Sequence, residues 1–476
     1  MTTKITVLGA GPGGYVAAIR AAQLGAEVTV IEADNVGGTC LNWGCIPSKI
    51  MITTAQILEK FHKAADYAVA VEGGVRADMQ RLMARKNAVI KSQTKGILGL
   101  FKHHRIQYIN GSGYIKRPGL AAVSNQGAEQ EVPWDKLILA TGTKPLEIPA
   151  FPFDGQKILS SDHALCLEKV PGAVMIVGGG VIGCEFAFIL SCLGAKVTVV
   201  EALDRMLPIP SVDEACSKVL QREMKKRKIK FIVNRTVESF EESGDKLRVS
   251  IGPSPFAESP SQKDRAPTTA EVDQMLVCIG RKPNTSEISL EAIGLKTDEK
   301  GWVDANDRME TKIPGVYAIG DLLGPSKIML AHVASTEGIV AAENAMGANR
   351  TMDYSVVPGA IFTTPEVANV GLSEAQAKEQ GHTVRADSVL FRTLGKAQVI
   401  GEIAGEAKII SNANSGKILG VHIVGPHATD LIAEATLAMQ MGGSVQDIAS
   451  TIHAHPTLAE IMLEGSFKAL DRSLHG

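Results

Sequence analysis

Aromatic residues are scarce in this sequence, 4% of 476 positions, and nowhere interleave with a basic patch. The pairing of stacking rings with clustered cations that holds nucleic acid is therefore missing. Neither sign of charge is in excess: 49 Lys and Arg stand against 51 Asp and Glu, a net −2. That balance gives no pull towards nucleic acid or an anionic membrane. No apolar run is long enough to read as a bilayer span. No charged region, apolar segment and cleavage site can be separated near Met1, so no secretory signal is expected. Seven cysteines are too few to staple so long a chain. A cytoplasmic protein is expected, in which a disulfide would be catalytic rather than structural.

What is present begins with Ile5-Thr6-Val7-Leu8, a short apolar strand, followed by Gly9-Ala10-Gly11-Pro12-Gly13-Gly14. A helix of small residues is expected from Tyr15 to Leu24, stopped by Gly25. A second strand, Glu27–Ile31, ends at the acid Glu32. In such a unit Gly9 makes the turn, Gly11 lets backbone approach a pyrophosphate, and Gly14 lets helix and strand pack closely. The helix N-terminus faces the phosphates, and Glu32 accepts from ribose hydroxyls.

The unit returns. Ala173–Val177 leads into Gly178-Gly179-Gly180-Val181-Ile182-Gly183, and Glu201 closes the next strand, as far beyond Gly183 as Glu32 is beyond Gly14. Leu24–Glu32 and Leu193–Glu201 are near copies, and one constant offset relates the two units throughout. Two dinucleotide-binding domains imply two dinucleotides and electron transfer between them. An acid at the second strand end favours a free 2′-hydroxyl, hence NAD rather than NADP.

Between the units, Ile57, Leu58, Phe61, Leu82, Val89, Ile90, Ile97 and Leu98 recur at helical spacing and read as core-facing. Strands ending in small residues follow at Leu137–Thr143, Met275–Gly280 and Gly315–Gly320. Asp321 closes the last of these, at a strand C-terminus where open α/β sheets bind ligands. Residues 252–270 hold four prolines and read as a hairpin tip without function. After about Asp353 longer strands and then helices, with no phosphate loop, suggest an α+β domain.

Two further stretches carry chemistry. Gly37-Gly38-Thr39-Cys40-Leu41-Asn42-Trp43-Gly44-Cys45-Ile46-Pro47-Ser48-Lys49 reads as a turn into a helix. A thiol at a helix start has its thiolate stabilised. Cys40 and Cys45 are either a redox pair or two ordinary thiols. The remaining five, Cys166, Cys184, Cys192, Cys216 and Cys278, are scattered singly. In His453-Ala454-His455-Pro456-Thr457-Leu458-Ala459-Glu460 a histidine precedes a glutamate by five positions, the spacing of a base and its orienting carboxylate. The alternative is two surface histidines at a helix start. No metal site is expected, because no further ligand stands at metal spacing.

Taken together, the Gly9–Gly14 loop, the Gly37–Lys49 stretch, Gly178–Glu185, Gly320-Asp321 and His453–Glu460 resemble the flavoprotein disulfide reductases over essentially the whole chain. Within that family the likeness is strongest to the NAD-dependent branch that oxidises dihydrolipoyl groups. The resemblance implies an α/β chain of two Rossmann-like dinucleotide-binding domains plus a C-terminal α+β dimerisation domain. Residues 1–149, completed by 277–350, would bind FAD; 150–276 would bind NAD; 351–476 would form the interface of a homodimer. Gly9, Gly11, Gly14, Glu32, Lys49, Gly113, Thr141, Gly142, Thr143 and Asp321 would hold FAD. Met329, Leu330, Ala331 and His332 would line the flavin. Gly178, Gly180, Gly183, Glu185, Glu201, Val237 and Gly280 would hold NAD, and Lys49 would pair with Glu185. Cys40 and Cys45 would form the redox disulfide, and His455 with Glu460 would serve the other subunit's disulfide. The partner would be a lipoylated carrier protein. The alternative is a related NAD(P)H-dependent reductase of another disulfide. Glu201 argues against the NADP-using glutathione branch, and the Asp471–Gly476 tail lacks the cysteine pair of the mercuric branch. Trp43 stands where smaller residues are common, and would either narrow the substrate channel or simply pack.

Overall fold

The computed structural model describes residues 2–125, 128–257 and 266–475. Five parallel strands form the first sheet, in the order Val316–Ala318, Lys136–Leu139, Lys4–Leu8, Glu27–Glu32 and Gln107–Asn110. β1 (Lys4–Leu8) is buried from Ile5 to Leu8, in a core shared with the following helix and with Ile115, Ala121 and Val132 of a small antiparallel sheet. Pro12 begins α1 (Pro12–Gln23), where its missing N–H costs nothing. Gly9 turns the chain at φ 100°, and a Cβ on Gly14 would meet the Gly9 carbonyl at 1.9 Å. β2 is Glu27–Glu32.

The second sheet repeats the first: Lys230–Ile232, Lys196–Val200, Ala173–Val177, Gln274–Val277 and Ile158–Leu159, again parallel. Even the register repeats. Lys4 pairs with Glu27 and Ala173 with Lys196, so the offset seen in the sequence carries over to the strand pairing. Each sheet is accompanied by a three-stranded antiparallel sheet, Ser112–Pro133 beside the first and Arg235–Val272 beside the second. A strand of the latter ends at Pro253 and the next begins at Thr268; residues 258–265 of the proline-rich stretch lie outside the described residues.

The last sheet is antiparallel: Gly359–Ile361, Glu366–Gly371, Ile418–Gly425, Glu406–Asn412 and Val384–Leu390. Its core of Val370, Phe391, Ile409, Val421 and Ile461 is its own.

α2 (Gly38–Asn42) and α3 (Cys45–His62) carry the cysteine stretch. Ile50, Met51 and Ile52 of α3 pack into the core of the second sheet with Ile176 and Leu190. Thus a helix that starts beside the first loop is anchored in the second domain. One sequence expectation fails here. Ile57, Phe61 and Leu98 are exposed, while Leu58 and Leu82 are buried. The helices exist, but they show this part of their apolar surface to solvent within one chain.

Candidate active site

A cleft of about 550 Å³ runs from the end of β2 past the first glycine loop to the dithiol turn. Gly9, Gly11, Glu32, Cys40, Cys45, Gly113, Thr141, Gly142, Thr143, Asp321, Met329, Leu330 and Ala331 all line it. Its size is that of a cofactor site. Glu32 reinforces the loop: its two oxygens accept from the Ala10 N–H (2.7 Å) and the Asp34 N–H (2.9 Å). Burial raises the Glu32 pKa against those bonds. A Cβ on Gly11 would meet only the Gly38 Cα, at 3.9 Å, so backbone here stays open to a pyrophosphate.

Three expected contacts differ. Lys49 does not line the cleft; its ammonium is turned to Glu185 instead. His332 does not line the cleft: it is exposed, and its Nε2 lies 2.9 Å from the Pro358 carbonyl. It stands at the second position of the helix Ala331–Ala345, turned from the face that Leu330 and Ala334 give to the cleft. Gly14 is not a lining residue either. It acts by letting α1 lie against Gly9.

The sequence reading missed Arg281 and Asn284. Arg281 donates Nε–H to the Thr143 hydroxyl (2.7 Å), and that hydroxyl donates to Asp321 (3.1 Å). Burial raises the Asp321 pKa, and Arg281 and Thr143 oppose it. Asn284 and Thr141 hydrogen-bond reciprocally, 2.8 and 3.0 Å. Glu337, fully buried, accepts from the Gly320 N–H at 2.6 Å and from the Tyr354 hydroxyl. These residues have no motif spacing; the pairing of Thr143–Pro145 with Arg281–Pro283 brings Arg281 and Asn284 to their partners.

Cys45 is the first residue of α3, following Gly44, and both cysteines are thiols. The Cys40 thiol donates to Cys45 and Lys49 adds positive charge, so the Cys45 pKa falls to about 7 against burial. The same hydrogen bond, with burial, pushes the Cys40 thiol far up. Position adds to the effect at Cys45 alone, because it opens α3 and a helix start favours the thiolate. Lys49, one turn along, pairs with both oxygens of Glu185 at 3.0 and 2.9 Å. Glu185 is 5% exposed on the helix Val181–Cys192 and also accepts from the Phe362 N–H. Lys49 lies 4.4 Å over the Phe362 ring. The predicted ion pair therefore ties together the dithiol helix, the second domain and the C-terminal domain.

In the second domain Gly178 turns at φ 104°, and a Cβ on Gly183 would meet the Gly178 carbonyl at 1.9 Å. Gly180 caps the helix start with nothing near its Cβ position, leaving room for phosphate. Glu201 accepts from Gly179 N–H (2.5 Å) and Leu203 N–H (2.8 Å), as Glu32 does in the first loop. Gly280 follows the strand Gln274–Val277. The Val237 side chain is packed in the core, so only its backbone could reach a nucleotide.

His455 Nδ1 lies 2.8 Å from Glu460 Oε1, and the Thr457 N–H donates to Oε2. Burial opposes ionisation of Glu460, but these bonds win and hold its pKa down. The His455 side chain is 74% exposed. His453 is a correction to the surface-histidine alternative. It is buried, with Nε2 at 2.9 Å from Glu434, a partner that sequence spacing hid. Neither His455 nor Glu460 lines the cleft that holds the dithiol of the same chain. No group of metal-ligating side chains occurs among the described residues.

A dithiol at a helix start, set between two dinucleotide-binding folds, defines an oxidoreductase that passes electrons between a thiol–disulfide pair and two dinucleotides. The chain belongs to the pyridine nucleotide-disulphide oxidoreductase family, which it matches over residues 3–338, with the family's dimerisation domain at 357–465. It is 41% identical to a dihydrolipoyl dehydrogenase of Chlamydia muridarum over 98% of this chain and 97% of that one. The dihydrolipoyl dehydrogenase of Geobacillus stearothermophilus is 37% identical over 99% and 97%. Among solved structures, LpdA from Mycobacterium tuberculosis has a TM-score of 0.89 at 27% identity, covering 98% and 99% of the two chains.

Proposed function

We propose that the protein acts as an NAD-dependent dihydrolipoyl dehydrogenase, a cytoplasmic homodimer with FAD and NAD as cofactors. Its substrate is the dihydrolipoyl group of a lipoylated carrier protein. The observation that carries this reading is the Cys45 thiol, low in pKa at the start of α3, in one cleft with a dinucleotide loop. Full-length likeness to dihydrolipoyl dehydrogenases supports the choice of dithiol. Residues 1–149 with 277–350 bind FAD, residues 150–276 bind NAD, and residues 351–476 form the interface. The glycine loops fit pyrophosphate by their open backbone, and Glu32 and Glu201 stand at the strand ends that face ribose.

The residues then divide the chemistry. His455 of one subunit, oriented by Glu460, takes a proton from a substrate thiol at the partner's dithiol. The substrate sulfur bonds to Cys40 as the Cys40–Cys45 bond breaks, leaving Cys45 as thiolate. The second substrate thiolate attacks the first substrate sulfur, closes the substrate disulfide and releases Cys40. Lys49, fixed by Glu185, keeps positive charge beside Cys45. FAD bound in the cleft supplies two-electron acceptance and hydride delivery to NAD⁺. The test is addition of dihydrolipoamide and NAD⁺ to the purified flavoprotein. NADH formation is expected, and its absence would sink the proposal.

A further inference from the structure

Trp43 lies between the two cysteines in sequence, yet its indole is tied elsewhere. Its Nε1–H donates to Asp34 Oδ2 at 2.8 Å. Asp34 is itself held on three sides. Its Oδ1 accepts from Asn35, its carbonyl accepts from Asn110 at 3.0 Å, and its N–H donates to Glu32. All of these sit at the C-terminal ends of neighbouring strands, beside the carboxylate that supports the first glycine loop. Trp43, Asp34, Asn35 and Glu32 line the same cleft. Trp43 is 37% exposed, a large apolar surface left open at the cleft wall. A side chain that narrowed the route to the dithiol would stand over Cys40. This one is bonded nine positions back, at the ribose-facing end.

We propose that Trp43, positioned by Asp34, forms the wall that retains the adenosine half of FAD. The inference rests on the FAD reading above. An aromatic plane with one polar edge is suited to such a wall. The N–H is spent on Asp34, which fixes the ring, and the face stays free for an apolar or π contact. Helix α2 does not need the ring for its own shape. Asn42 donates to the Val36 and Gly38 carbonyls at 3.2 and 3.0 Å and holds α2 to the loop independently.

The experiment measures FAD release on dilution, read as the rise of free-flavin fluorescence. Wild type must first show bound flavin; its absence would refute the FAD reading itself, before any variant is compared. Trp43→Val should release FAD about tenfold faster, the equivalent of one lost aromatic contact. Asp34→Ala should speed release in the same direction, and Trp43→Phe, which keeps a ring but not the N–H, should fall between. Far-ultraviolet circular dichroism of each variant checks that the fold is intact. The dihydrolipoamide KM of the FAD-saturated variants separates the rival role. Unchanged release with a shifted KM would overturn the proposal and place the indole at the substrate mouth. Unchanged release in both Trp43→Val and Asp34→Ala would overturn it outright.

Discussion

Two cysteines five positions apart end with opposite acidities, because one donates its proton to the other. Cys45 sits at about 7 and Cys40 well above an ordinary thiol. A lowered thiol pKa means the thiolate is present above the folded value and lost as pH falls through it. The long-wavelength charge-transfer band of the two-electron-reduced enzyme should therefore persist from alkaline pH to near 7 and fade below, followed by absorbance titration. A midpoint near 9, the ordinary thiol value, would contradict the arrangement. Cys45→Ser should remove the band altogether. At the base, His455→Gln should cut turnover by about 10² or more, the usual scale for losing a general base. His453→Gln should act instead on stability, because that imidazole is buried against Glu434 and faces no substrate. Thermal melting and steady-state turnover on the two variants distinguish these roles.

At the level of elements, one β–α–β unit was used twice, with the same closest contact: a Cβ on Gly14 or Gly183 would lie 1.9 Å from the carbonyl of the loop's first glycine. Gly183→Ala should therefore raise the KM for NAD⁺ on the order of tenfold, a loss of about 1.4 kcal/mol, with flavin content unchanged. Flavin absorbance relative to protein, and KM measured separately, check both halves. A fall in flavin content instead would mean the two loops are not independent. α3 shows a different economy. Cys45 and Lys49 occupy successive turns at its start, while Ile50, Met51 and Ile52 anchor it in the second domain. The helix that carries the dithiol is held by the second domain.

The whole molecule is more than one chain's cleft. His455 and Glu460 belong to a domain with its own core, and His455 stays exposed, outside the lining of the cleft that holds the dithiol of its own chain. Co-expression of Cys45→Ser and His455→Gln chains tests the homodimer. Half the dimers would be mixed, and each would rebuild one intact site, giving about a quarter of full activity. Purified separately and assayed alone, neither variant should approach that figure. If the histidine served its own chain's dithiol, mixing would restore nothing.

Much of this was readable from residue order because the chemistry depends on local spacing. A turn of glycines before a helix, an acid at the end of the next strand, and cysteines astride a helix start all act within one supersecondary unit. The repeat of Leu24–Glu32 at Leu193–Glu201 told of two such units, and the His455–Glu460 pair fits on one short stretch. What only tertiary structure decided involves groups far apart in the chain. Arg281 reaches Thr143, whose hydroxyl reaches Asp321, Glu185 meets Lys49 and Phe362, and Glu434 buries His453. Trp43 was beside the dithiol in sequence and proved to be fastened to Asp34. Spacing sets which residues a single helix or loop presents. Which long side chains meet depends on how separate sheets pack, and no local pattern records that.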